Sequence, residues 1–217
     1  MRFRTCLLDL DGTLVDHFAA IHRCHVQVRR HFGLPEPSLE EVRRAVGGGL
    51  ENALRRVLGP DHADKVEAGL AVFREHWDRT MLDDVTLLPG ALELLAGLQT
   101  AGVRAAVLTN KHADSSRLIC SHLGMDPYLA GVFGAGDTPW LKPDPRFTRH
   151  ALQTLGAEAA SALLVGDSPY DVQTAQAAGM PIWAVSTGTH TGPELQASGA
   201  DRVFPDLFAL RIQWEWE

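Results

Sequence analysis

Cysteine is scarce in this chain: Cys6, Cys24 and Cys120 are odd in number and far apart among 217 residues. No two of them make a metal-binding pair, and no disulfide framework can be drawn. That excludes the disulfide-stapled scaffolds and points to a reducing cytoplasm. Long apolar runs are missing too. No stretch approaches the roughly 20 apolar residues of a membrane span, so no membrane association is expected. The N-terminal Met1-Arg2-Phe3-Arg4 carries the charge of a secretory leader. The apolar run behind it is cut at Asp9 and Asp11, so no leader is expected. Positive charge is in deficit: 20 Lys and Arg against 27 Asp and Glu leave a formal net charge of −7. A general nucleic-acid binder needs a basic footprint, and that class is excluded. Phosphorylated substrates are not, because a bound cation can offset local carboxylates. Repeats and low-complexity segments are absent.

What is present is ordinary globular material, 45% hydrophobic and 22% charged, enough for one medium domain or a compact domain carrying an insert. An apolar strand is predicted over 3–9, closed by Gly12. Helical patterns then run from 16 to about 80 with no convincing strand between them. Within that block Ser38-Leu39-Glu40-Glu41 has the form of a capping box, and Gly47-Gly48-Gly49 breaks the helices. From Pro89 the texture changes to alternation. Helices are predicted at 90–101, 113–123, 145–155 and 170–178, and strands at 103–109, 132–134, 162–165, 182–185 and 202–204. Such alternation means crossover connections and a parallel sheet. The helical block interrupts it after one strand, so 16–84 reads as an insert in an α/β core of 1–15 and 85–217.

Four segments carry candidate chemistry. Asp9-Leu10-Asp11-Gly12-Thr13 ends the first strand. Side chains two apart in extended chain point the same way, so Asp9 and Asp11 converge at the carboxyl edge of the sheet, where open α/β sheets bind ligands. A simple turn would use Asp and Gly as well. Leu108-Thr109-Asn110-Lys111 ends another strand. Thr109 offers a hydroxyl, and backbone N–H groups opening the next helix attract phosphate oxygens, although Thr109 and Asn110 also suit a plain helix cap. Lys142 sits in Leu141-Lys142-Pro143-Asp144-Pro145, a loop that prolines stiffen around a point charge; a solvated lysine is the commoner case. Gly166-Asp167-Ser168-Pro169-Tyr170-Asp171 follows an apolar run and places two carboxylates where magnesium, a hard cation, would be at home, or where Asp167 or Ser168 caps a helix.

In that order and placement the segments resemble the haloacid dehalogenase-like hydrolase superfamily, its four motifs matching Asp9/Asp11/Thr13, Thr109, Lys142 and Asp167/Asp171. The resemblance covers essentially the whole chain. It implies a Rossmann-like parallel α/β core with an inserted all-helical type 1 cap. Thr109-Asn110-Lys111, Val46-Gly47-Gly48-Gly49 and Gly166-Asp167-Ser168 look closest to phosphoglycolate phosphatases. His17 stands where that family often has Ser. The activity implied is magnesium-dependent hydrolysis of a small phosphomonoester through an aspartyl-phosphate, with 2-phosphoglycolate first and a sugar-phosphate mutase or pyrophosphatase as alternatives. A non-enzymatic binding protein with a retired site is the remote one.

The resemblance makes Asp9 the nucleophile and Asp11 the general acid–base, its pKa raised by nearby negative charge. Asp9, Thr13, Thr109, Asn110, Lys142 and Gly48 bind phosphate or substrate, with Thr109 and Lys142 catalytic. Mg2+ is held by Asp9, Asp11 (through its carbonyl), Asp167 and Asp171. A monomer or homodimer is expected.

Among the remaining features, Arg43 or Arg44 would sense a substrate carboxylate or, the preferred reading, line a solvated helix face. His22 and His25 share a helix face without a completed ligand set, which favours packing or surface histidines. Trp140 suits the pocket or the core edge. Trp214 and Trp216 suit docking or a frayed end.

Overall fold

The computed structural model describes residues 3–214. Its elements are β1 (Thr5–Leu8), β2 (Val15–Asp16), α1 (Phe18–His31), α2 (Leu39–Ala45), α3 (Leu50–Leu58), α4 (Val66–Thr80), β3 (Thr86–Leu87), α5 (Ala91–Thr100), β4 (Arg104–His112), α6 (Ala113–His122), β5 (Leu129–Ala135), α7 (Pro145–Thr154), β6 (Ala162–Gly166), α8 (Pro169–Ala178), β7 (Ile182–Val185), α9 (Gly192–Ala197), β8 (Arg202–Phe204) and α10 (Leu207–Trp214). Six strands form one sheet in the order β5-β4-β1-β6-β7-β8, and every pairing in it is parallel.

The sheet is buried on both faces, which is why its strands read as continuous apolar runs rather than as alternation. Period-2 geometry still sorts them. Cys6 and Leu8 join one core with Val107, Leu163, Val165 and the helices α5, α6 and α10. Leu7 joins the other with Ala106, Leu108, Leu164 and the helices α7, α8 and α9. Fully burying such a side chain is worth about 1.5–3 kcal/mol, so a one-residue slip in β1 would exchange its partners on both faces.

Two short strands escaped the sequence reading. β2 and β3 pair antiparallel, Val15 with Leu87 and Asp16 with Thr86, and so tie together the two chain segments flanking α1–α4. At two residues each they carry no period to detect. β4 also runs three residues beyond the predicted Thr109, to His112, which places Thr109-Asn110-Lys111 inside the strand. Neither the expected helix N-terminus nor the cap forms there: α6 starts at Ala113 with His112 as N-cap. The capping box at α2 forms as expected, the Glu41 N–H donating to Ser38 Oγ at 3.1 Å and the Ser38 N–H to Glu41 Oε2 at 2.7 Å.

Trp214 is buried at the end of α10, with ring centroids 5.8 Å from Phe3 and 5.6 Å from Trp183; Trp216 lies outside the described residues. Trp140 packs at the edge of the second core, the Arg146 guanidinium 5.0 Å above its ring. Among the described residues no helix is long and apolar enough to cross a membrane.

Candidate active site

Sheet order makes one crevice out of distant segments. β1 is central, with β4 on one side and β6 on the other, and Leu8 is in register with both Val107 and Val165. Asp9 follows Leu8 directly, and Thr109 and Asp167 come two residues after Val107 and Val165, so all three emerge at the carboxyl edge, where chain direction diverges on either side of β1 and open sheets leave a cleft. Asp171 joins them from the first turn of α8. Ser168 caps that helix, its N–H and Oγ donating to Asp171 Oδ2 at 3.1 and 2.6 Å. The capping role and the acidic cluster thus coexist in one carboxylate.

Asp9, Asp167 and Asp171 can each offer a carboxylate oxygen within 4.8 Å of the others, and all three are buried. Lys142 closes the group, its Nζ 2.8 Å from Asp9 Oδ1 and 2.7 Å from Asp171 Oδ1. Asn110 sets the position of that lysine. Its Oδ1 accepts from the Lys142 N–H at 2.7 Å and its Nδ2 donates to the Lys142 carbonyl at 3.0 Å. The same Nδ2 reaches the Gly47 carbonyl at 3.0 Å.

With all three ionised, the carboxylates set against one ammonium would leave two uncompensated negative charges in a buried site. Burial pushes the Asp167 carboxyl up to about 8, helped by the negative charges of Asp171 and Asp9. Burial likewise pushes Asp9 up, to about 6, with Lys142 pulling it down and Asp171 pushing further up. For Lys142 burial favours the neutral amine, but Asp171 and Asp9 outweigh it and hold the ammonium above its ordinary range. This pattern, a buried acidic cluster short by two positive charges, fits a small hard divalent cation.

Asp11 departs from expectation. Its carboxylate stands apart from the acidic cluster and takes the Lys111 ammonium at 3.1 and 2.8 Å, with His17 Nδ1 3.6 Å away. Burial works to raise its pKa, yet Lys111 and His17 prevail and hold it well below the usual carboxylate range. The predicted upward shift is overturned because the nearest charges are positive. Nothing in the sequence placed Lys111 against Asp11; the lysine was visible only as a member of Thr109-Asn110-Lys111.

Thr13 and Thr189 both serve Asp167. Thr13 Oγ1 donates to Oδ1 at 3.1 Å, and the Thr189 N–H and Oγ1 donate to Oδ2 at 2.8 and 3.0 Å. The hydroxyl of Thr13 is therefore engaged with a carboxylate here. Thr189 lies in a loop that the sequence did not mark. Its neighbour Gly188 is required by contact, since a Cβ there would sit 1.9 Å from Asp167 Oδ2.

A cavity of about 520 Å³ opens over this edge, lined by Asp9, Asp11, Thr109, Asn110 and Lys111 on one side and by Gly48, His25, Phe73, Arg74 and Trp77 on the other. Gly48 comes so close to α8 that a Cβ would lie 2.6 Å from the Tyr170 hydroxyl. Lys111 Nζ stands 4.3 Å over the Trp77 ring. Arg43 and Arg44 are absent from the cavity wall. Arg43 donates to the Gly188 and Thr187 carbonyls at 3.0 and 3.1 Å, and Arg44 pairs with Glu194 at 3.0 Å. Neither the carboxylate sensor nor a purely solvated face describes them: both bridge α2 to the loop and helix after β7.

Relatives share this architecture. The chain is 35% identical over 215 residues to a phosphoglycolate phosphatase of Rhodospirillum rubrum, covering 95% of this chain and 89% of that one. It is 36% identical over 208 residues to a plasmid-borne phosphoglycolate phosphatase of Cupriavidus necator, covering 94% and 90%. Among solved structures, a predicted phosphoglycolate phosphatase from Haemophilus somnus superposes with a TM-score of 0.88 at 25% identity, over 98% of this chain and 99% of that one. The family model of haloacid dehalogenase-like hydrolases matches residues 6–185, and the chain belongs to that family.

Proposed function

We propose that the protein is a magnesium-dependent phosphomonoester hydrolase in which Asp9 is the nucleophile and 2-phosphoglycolate is the first substrate to test. The observation that carries this reading is the buried trio Asp9, Asp167 and Asp171 with Lys142 among them, short by two positive charges. A divalent cation held by Asp9 and Asp167, with Asp171 and the Asp11 carbonyl beside it, would neutralise charge on the transferring phosphoryl group. The names of the relatives in Rhodospirillum and Cupriavidus support the substrate.

In this reading the Asp9 carboxylate attacks phosphorus in line, forming an aspartyl-phosphate as the ester oxygen leaves with a proton from Asp11. Asp11 then takes a proton from the water that opens the acyl phosphate, and inorganic phosphate departs. As a carboxylate paired with Lys111, Asp11 stands in the form required of a base. A phosphoryl dianion competing for that ammonium would free Asp11 to take up the proton it needs as acid. Lys142, Thr109 and the Asn110 N–H bind the equatorial oxygens.

Residues 16–84 act as a cap, with the β2–β3 ribbon as hinge. Arg43, Arg44 and the Arg56–Tyr170 hydroxyl bond of 2.6 Å hold it closed, excluding bulk water. The buried thiols of Cys6, Cys24 and Cys120 suit a reducing cytoplasm.

The test is phosphate release from 2-phosphoglycolate, pyrophosphate, hexose phosphates, nucleotides and p-nitrophenyl phosphate, with magnesium and with chelator. Turnover lost on chelation and regained with Mg2+ is expected. Undiminished turnover in chelator would end the metal-dependent reading.

The metal also has a signature in stability. A carboxyl whose folded pKa is raised keeps a proton that the unfolded chain has already released. Its contribution is full below the unfolded value near 3.9 and is lost as pH rises through the folded one. His25, lowered from 6.5 to about 3 by burial and by His22 and Arg29, works in the opposite direction below pH 6.5. Between pH 6.5 and about 8 Asp167 acts without that offset, so the metal-free protein is expected to lose stability across this window. Mg2+ at a hundred times its dissociation constant adds about 2.7 kcal/mol, or about 5–10 °C in midpoint for a chain of this size. Calorimetry at pH 6.5 and 8, with and without Mg2+, checks both; a midpoint indifferent to the ion would rule out resident magnesium.

A further inference from the structure

With Arg43 and Arg44 turned away from it, the cavity presents two Lys or Arg side chains, Lys111 from β4 and Arg74 from α4. They are not equivalent. Arg74 is exposed. Lys111 keeps 9% of its side chain exposed, and its Nζ is held by the two Asp11 carboxylate oxygens, at 3.1 and 2.8 Å, and by the face of Trp77 at 4.3 Å. Trp77 is itself anchored across the cap–core boundary, its Nε1 donating to the buried Ser115 Oγ at 3.1 Å. Asp11 supplies the only oxygens bonded to that ammonium among the described residues, although an ammonium carries three N–H bonds. A lysine held in this way is a fixed point charge in a largely dry pocket, where it attracts an anion far more strongly than in water.

Building on the hydrolase reading above, we infer that Lys111 is a specificity-determining residue that binds a carboxylate on the leaving group, and that it selects esters whose carboxylate is one carbon from the ester oxygen. The reach follows from Asp11. In that reading Asp11 hands its proton to the ester oxygen, so the two oxygens lie within hydrogen-bond distance, and Lys111 Nζ is 2.8 Å from the same carboxyl group. In a phosphoryloxyacetate the ester oxygen and the nearer carboxylate oxygen are three bonds apart, about 3 Å. Acid, ester oxygen, carboxylate and ammonium then close a ring of ordinary hydrogen-bond contacts. A further carbon carries the carboxylate past that reach or obliges the chain to fold back. Charge balance favours the same occupant. When Asp11 carries its proton for the ester oxygen, the buried ammonium loses its counter-ion, and a substrate carboxylate replaces it. Arg74 stands one turn of α4 before Trp77, toward its N-terminus, and is the cation a longer leaving group would meet.

Two pairs of substrates test this: 2-phosphoglycolate against ethyl phosphate, and 3-phosphoryloxypropanoate against n-propyl phosphate, each pair exchanging a carboxylate for a methyl group. In the first pair the wild-type protein is expected to favour the carboxylate in kcat/KM by about tenfold to a hundredfold, the value of one hydrogen bond between charged groups. In the second pair the ratio falls toward unity. Lys111→Met collapses the first ratio, and Arg74→Ala retains it. Where the Lys111 variant is too slow to assay, equilibrium binding of the same two compounds gives the ratio instead. A lysine that acts only by holding Asp11 would slow both members equally and leave the ratio standing, which overturns the inference. So does collapse of the ratio in Arg74→Ala, or an equal preference in both pairs. A wild-type protein that turns over p-nitrophenyl phosphate without preferring 2-phosphoglycolate to ethyl phosphate overturns this inference alone, whether or not the variants fold. Failure on p-nitrophenyl phosphate and on both pairs would instead remove the hydrolase reading and this inference with it.

Discussion

Asp9→Asn is expected to abolish phosphate release, by about 10⁴-fold or more, and to prevent labelling of the protein by a radioactive substrate quenched in acid. The substitution is nearly isosteric, so the hydrogen bond from the Asp9 N–H to the Val165 carbonyl, 2.9 Å, and the strand end that it anchors should survive. What is lost is the anionic oxygen, and an amide cannot form the acyl phosphate. Asp11→Asn separates the two carboxylates. It leaves Asp9 and the acidic trio intact, so on the proposed mechanism substrate should still bind while turnover stops for want of a proton donor and base. Single-turnover labelling with equilibrium binding of substrate measures both. Near-normal activity in Asp9→Asn would mean that a water, not Asp9, attacks phosphorus.

Lys142→Met should be nearly as damaging, by a different route. The lysine is 4% exposed and is the ammonium lying between Asp9 and Asp171. Removing one partner of a buried ion pair costs about 3–5 kcal/mol, because the remaining charge has neither water nor a counter-ion. The cost is blunted here, since Asp9 and Asp167 already have raised pKa values and can take up protons. The metal-free variant should therefore melt about 6–12 °C lower at pH 8 and much less so at pH 5. Saturating Mg2+ should recover part of the stability. It should not recover turnover, expected to fall by about 10²–10³-fold, because in the proposed mechanism this cation also neutralises the transferring oxygens. Thermal melts at the two pH values with parallel kcat measurements separate these effects. A variant whose kcat stays within about tenfold of wild type would remove Lys142 from the transferring machinery.

Most of the fold was legible because its signals are local. The buried strands β1 and β6 are apolar runs ended by Asp9 and Gly166, and the helices between strands carry their own stops and caps, among them the Ser38–Glu41 box. The two-residue strands β2 and β3 were not legible, being shorter than any periodicity. The extension of β4 through Thr109, Asn110 and Lys111 was hidden for another reason: β5 pairs again with His112 across a register shift that spans these residues, and local propensity gives way to that partner.

Spacing within the chain placed Asp9 and Asp11 on one side of an extended segment, and the sequence offered Asp9, Asp167, Asp171 and Lys142 as candidates. Charges that meet across long separations were beyond it. Lys111 lies 100 residues from Asp11 and Asp167 lies 154 from Thr13, yet each pair is in contact. Only the parallel order of β4, β1, β6 and β7 decides that an ammonium faces Asp11 and lowers its pKa, and that Thr13 and Thr189 turn toward Asp167. Sequence fixes which groups exist and which way neighbouring side chains point; tertiary packing fixes which charge each group meets, and at the few-ångström range of a buried site that decides its protonation and its chemistry.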